Sequence, residues 1–101
     1  MKNPHEIELD DVVAQKEDLL SSELDGETVL MSVTQASYYG LDSTSQRIWN
    51  MIDQPRRVID LCEQLLTEYD VDRTTCEHNV CTFLTEMNKE GLIRIVTEDG
   101  S

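Results

Sequence analysis

The spacing of apolar and polar positions changes once along the chain. Up to Leu41 apolar residues fall into short runs with the alternation of strands, and beyond Ser43 they recur every three or four residues, as on a helix face. Leu19 to Leu24 predicts one strand. Thr28 to Val33, rich in β-branched and apolar residues, predicts a second. Asp25-Gly26 lies between them, and Asp-Gly between apolar runs is a strong hairpin signal. Thr34-Gln35 then separates Val33 from a third strand, Ala36 to Leu41. Val12-Val13-Ala14 predicts a short pairing ahead of these three.

The helical half opens at Ser43 and Gln46, which have the spacing of a capping box. Ile48, Trp49 and Ile52 then share one apolar face, and Pro55 ends the helix. Val58, Leu61, Cys62, Leu65, Leu66 and Tyr69 follow the i, i+3, i+4, i+7 rhythm of a second helix. Asp70-Val71-Asp72 interrupts it, and Asp72 is placed to cap a third. That third helix runs from about Arg73 to Glu90, with Cys76, Val80, Phe83, Leu84 and Met87 on its apolar side and Gly91 as its left-handed terminator. Leu92 to Val96 alternates weakly, as a final strand or wing would.

This order predicts an α+β fold: a three-stranded antiparallel meander, then three helices in a winged helix-turn-helix-like arrangement, then a short C-terminal strand. Residues 1–10 and 97–101 are polar and expected to fray, leaving 11–96 as one domain.

Charge narrows the partners. The chain of 101 residues has 21 acidic and 8 basic residues and a formal net charge of −13. Binding a nucleic acid or an anionic membrane requires lysines and arginines to replace phosphate counterions, so neither is expected as a partner. A basic peptide would be steered towards such a surface. No run of apolar residues reaches the roughly 18 needed to span a membrane. The three cysteines Cys62, Cys76 and Cys81 are odd in number and fall in helical segments, which argues for small core residues rather than a disulfide framework. A cytoplasmic protein is expected.

Catalytic chemistry finds little support. His5 lies in the polar N-terminal segment and His78 near the start of the third helix, and nothing in the pattern supplies a nucleophile and an orienting group for either. Cys76, His78 and Cys81 are poor joint metal ligands, because on a helix 76 and 78 point about 200° apart and 76 and 81 about 140° apart. The four glycines are too scattered for a phosphate loop. No enzymatic activity, metal or cofactor is expected. The would-be recognition helix carries Arg73 and Lys89 against Glu77, Glu86 and Glu90, and Asn79 alone does not supply base readout.

What remains is a surface. In a meander the third strand is an edge, with unpaired N–H and C=O groups that can accept another strand. Tyr38 and Tyr39 point to opposite faces of it. Either could meet a partner, and either could instead pack against its own face of the sheet.

The runs Asp25-Gly26-Glu27-Thr28-Val29-Leu30, Tyr38-Tyr39-Gly40-Leu41-Asp42 and Arg47-Ile48-Trp49 are similar to the PqqD family. So are Val58-Ile59-Asp60-Leu61, Glu68-Tyr69-Asp70-Val71-Asp72, Val80, Phe83-Leu84 and Glu90-Gly91-Leu92-Ile93, so that the resemblance spans roughly 10–96. Members of this family are RiPP recognition elements, which bind the leader segment of a ribosomally made precursor peptide and present it to modifying enzymes. The Tyr-Tyr-Gly-Leu run followed by Ile-Trp is most similar to the stand-alone versions of lasso-peptide biosynthesis, whose partners are a separate leader peptidase and an ATP-dependent cyclase. The resemblance implies a non-catalytic peptide chaperone, with the leader added as a strand beside the third β-strand over a groove walled by the third helix. Carried over by position, the leader-binding residues are Ser37, Tyr38, Tyr39 and Gly40 on the strand and Cys76, Asn79, Val80, Phe83 and Met87 on the helix, with Val80 and Leu84 also expected in the core. A PqqD-like chaperone for a radical peptide-modifying enzyme is the alternative, and a winged-helix DNA-binding regulator the reading from another class.

Overall fold

The computed structural model describes residues 6–17, 19–33 and 36–96. The expected turn at Thr34-Gln35, His5, the outer N-terminal residues and the segment 97–101 lie outside the described residues.

The meander forms as its pattern predicts. Strands β2 (Leu19–Leu24), β3 (Glu27–Ser32) and β4 (Ser37–Leu41) pair antiparallel in the order β2-β3-β4. Asp25 and Gly26 carry the turn between β2 and β3 with φ of 55° and 82°. Two successive positive φ values give a hairpin twist that matches the strands it joins. On one face Leu30 and Leu41 are buried, and Leu30 stands opposite Tyr39.

The helices follow. In α1 (Ser43–Met51) Ile48, Trp49 and Met51 are buried. In α2 (Val58–Glu68) the buried side chains are Val58, Leu61, Cys62 and Leu65, and in α3 (Arg73–Lys89) they are Cys76, Val80, Leu84 and Met87. The N-cap of α1 is Asp42 rather than Ser43: its carboxylate accepts from the Ser45 N–H at 2.8 Å, so the cap sits one residue before the expected capping box. Asp72 caps α3 as predicted, accepting from the Thr75 N–H at 3.0 Å. Gly91 follows with a φ of 74°.

Val12-Val13-Ala14 does not join the meander. It lies in β1 (Val12–Gln15), the centre of a second antiparallel sheet ordered β5-β1-β6, with β5 (Arg56–Arg57) on one side and β6 (Ile93–Val96) on the other. The pairing sets Val12 against Val96 and Gln15 against Ile93, and Val13 and Ile93 both enter the core.

The segment before β1 is also tied down. Ile7 is buried, and its N–H donates to Thr85 Oγ1 on α3 at 3.0 Å. The carbonyls of Asp11 and Leu9 accept from the N–H groups of Val58 and Ile59 at 2.9 and 3.0 Å. These are orphan donors of the first turn of α2, whose N-cap Arg57 makes no side-chain cap bond. The backbone of Leu9 and Asp11 thus completes a helix end.

Candidate functional site

β4 hydrogen-bonds to β3 on one side, and among the described residues no strand pairs with its other side. It is the open edge that the element order predicts. The alternation along it decides the question of the tyrosines. Tyr39 points to the same face as Leu41 and is half-buried, whereas Tyr38 is on the opposite face and 71% exposed.

Tyr39 meets Phe83 of α3 edge-on, ring centroids 6.4 Å apart and planes at 67°. This is a favoured aromatic geometry, the positive rim of one ring against the negative face of the other. The pair joins the open strand to the third helix. Burial raises the Tyr39 phenol above its ordinary pKa, and the negative charges of Glu86, Glu90 and Asp42 raise it further. The mouth beside the ring is thus acidic, and it favours a cation on whatever approaches.

Beyond Phe83 lies a cleft of about 310 Å³ between the start of α1, the end of α2 and α3. Val80 and Cys76 are almost fully buried and contribute to its floor, and Asn79 and Phe83 stand beside them on α3. Ile48 and Leu65 add apolar lining, and Asp42, Thr44 and Ser45 bring the capped N-terminus of α1 to one side. Four of the five helix residues expected to face a partner therefore meet in one place. Met87, the fifth, is fully buried and lines none of this cleft; its side chain belongs to the core under α3.

Tyr69 and Val71 also line the cleft, and sequence reading missed both roles. The heptad rhythm puts Tyr69 on the buried face of α2, but the helix ends at Glu68 and Tyr69 takes an extended backbone, φ −126° and ψ 146°. It is 40% exposed. The run Asp70-Val71-Asp72 was a stop signal, and an apolar residue inside such a stop is the clue that was available.

Arg47 braces this corner. Its guanidinium donates to both carboxylate oxygens of Glu68, at 2.9 and 2.7 Å, and ties α1 to the end of α2. Those bonds, with a third from Gln64, push the Glu68 carboxyl down to about 2. Arg73 is spoken for in the same way by Glu63 at 2.8 Å and Glu77 at 3.5 Å, so the start of α3 presents a neutralised cation.

The cysteines are free thiols. Cys62 and Cys76 are buried where α2 meets α3, and desolvation pushes the Cys62 thiol up to about 12. Among the described residues no three His, Cys, Asp or Glu side chains are grouped to hold a metal ion, and no helix is long and apolar enough to cross a membrane.

The chain and its fold have known relatives. The family model described as coenzyme PQQ synthesis protein D (PqqD) matches residues 27–93. Among solved structures, TbiB1 in complex with the TbiA(beta) leader peptide superposes with a TM-score of 0.74 at 27% identity, covering 84% of this chain and 99% of that one. A lasso peptide synthetase B1 complexed with the leader peptide superposes with a TM-score of 0.72 at 21% identity, covering 81% of this chain and 96% of that one, and shows a shared fold. No curated protein matches.

Proposed function

The chain belongs to the PqqD family, and on that premise we propose that it binds the leader segment of a ribosomally made precursor peptide, that of a lasso peptide, and performs no chemistry of its own. One observation carries the reading: β4 has an unpaired edge, and its Tyr39 meets Phe83, which also lines the cleft along α3. A peptide laid along β4 would gain main-chain hydrogen bonds from the edge, and its inward side chains would reach the aromatic pair and the cleft. TbiB1, similar in fold and 27% identical, is known in complex with a leader peptide, which supports this choice of guest.

The finer steps are proposals that follow from it. Ser37 to Gly40 would offer backbone to the guest, with Tyr39, Phe83, Asn79, Val80 and Cys76 as its contacts. The bound leader would be handed to a separate leader peptidase and a cyclase in the cytosol, where free thiols persist. The acidic mouth formed by Asp42, Glu86 and Glu90 suits a leader that carries lysine or arginine beside its apolar anchors. The family model takes its description from coenzyme PQQ synthesis, and this favours, as a second reading, a chaperone for a different peptide-modifying enzyme with the same binding mode.

Titration calorimetry with the synthetic leader tests the proposal. A single site with favourable enthalpy is expected, because ordering a flexible peptide is costly and must be offset by contacts. Absence of heat and of any competition with a labelled leader would refute it.

A further inference from the structure

β4 has a glycine where the strand itself gives no reason for one. Gly40 is not in the left-handed region, unlike Gly26 and Gly91. A Cβ built on it meets nothing within 4 Å. Neither backbone conformation nor crowding therefore excludes a side chain. Glycine weakens a strand, and within one it often marks the close approach of a ligand or another backbone.

The surroundings of Gly40 suggest what approaches. It shares the outer face of the sheet with Tyr38, opposite the Tyr39–Leu41 face. Pairing sets Leu20, Met31 and Tyr38 in one row across the three strands and puts Val29 against Gly40 in the next. Because Gly40 has no side chain, Val29 is left uncovered on the β4 side. Tyr38, two residues before Gly40 on the same face and 71% exposed, flanks this gap with apolar surface facing solvent. The gap opens at the free edge of β4, the place where a guest strand would lie.

We propose, resting on the strand-addition reading above, that Gly40 is a specificity-determining residue: it keeps room for an apolar side chain of the bound peptide, which lies over Gly40 against Val29 and Tyr38. The peptide is then held on both faces of the sheet. Inward residues reach Tyr39, Phe83 and the cleft, and an outward one covers the gap. Since strand neighbours alternate, the outward anchor stands at an odd spacing from the inward ones.

A mutant cycle tests this by fluorescence anisotropy with the labelled synthetic leader and its single-alanine variants. One outward leader position is expected whose alanine variant binds the wild-type chain about tenfold more weakly, in keeping with burial of an aliphatic side chain. With Gly40→Val the same replacement should cost under about threefold, because valine already fills the gap and the two losses do not add. If Gly40→Val does not fold cooperatively, Val29→Ser carries the same cycle without touching β4. Strictly additive losses at every leader position overturn the assignment while leaving leader binding intact. So does a wild-type chain that sediments as a dimer and becomes monomeric on Gly40→Val, since the gap would then hold a second copy. A wild-type chain that binds no leader overturns the leader-binding reading and this one with it.

Discussion

Tyr39 on the open strand and Phe83 on the third helix touch edge to face, 6.4 Å between ring centres, and this contact sets the distance between the sheet edge and the helix beside it. A double-mutant cycle with Tyr39→Leu and Phe83→Leu should give a coupling of about 0.5–1.5 kcal/mol in urea denaturation, the range for such aromatic pairs. Each single variant should also weaken leader binding. Leader affinity unchanged in both would place the guest elsewhere.

Strand addition makes a prediction about the guest's backbone. In a strand paired on one side, every second N–H faces the partner strand. N-methylation along the leader should therefore weaken binding with a period of two residues, by roughly 1 kcal/mol or more per lost bond. Uniform small losses would point to a guest held by its side chains alone.

Met87 separates core from site. It is fully buried under α3. Met87→Ala should lower stability by about 2–5 kcal/mol, as truncation of a packed side chain does. The leader affinity of the folded fraction, read by calorimetry well below the melting temperature, should change little.

Glu68 predicts an acid limb of stability. Its folded-state pKa is depressed from the ordinary 4.5 to about 2 by the Arg47 and Gln64 bonds. The contribution is complete above about pH 4.5 and is lost as pH falls towards 2. The Glu68→Gln variant should therefore show a shallower fall of melting temperature across that window than the wild type. The difference should shrink in high salt, because the pair is solvent-exposed.

The Cys62 thiol, pushed up to about 12, is protonated at neutral pH. At pH 8 only about one molecule in ten thousand would hold its thiolate, so Cys62 should resist a thiol-specific disulfide reagent in the native protein and react rapidly in denaturant. Mass spectrometry of the labelled peptides gives the readout.

The sequence by itself determined the pieces made by near neighbours. The Asp25-Gly26 turn, the Asp72 cap, the Gly91 stop, the helix periods and the place of β4 at the end of a meander all follow from residues a few positions apart, and all appear in the structure. Even the one-residue shift of the first cap, from Ser43 to Asp42, is a choice between adjacent residues that can both cap.

Tertiary structure decided which surfaces those pieces cover. Alternation says that Tyr38 and Tyr39 face opposite ways, but only the position of α3 makes Tyr39 the inward one. The helical period puts Val80, Phe83 and Met87 on one side of α3, and only packing divides them into cleft floor, cleft wall and core. The sheet of β1, β5 and β6 joins residues some eighty positions apart, and the N-terminal backbone completes the first turn of α2. Such contacts form because buried apolar area and unpaired backbone groups must be satisfied by whatever the folded chain brings near, and that proximity is a property of the whole fold rather than of any window along the sequence.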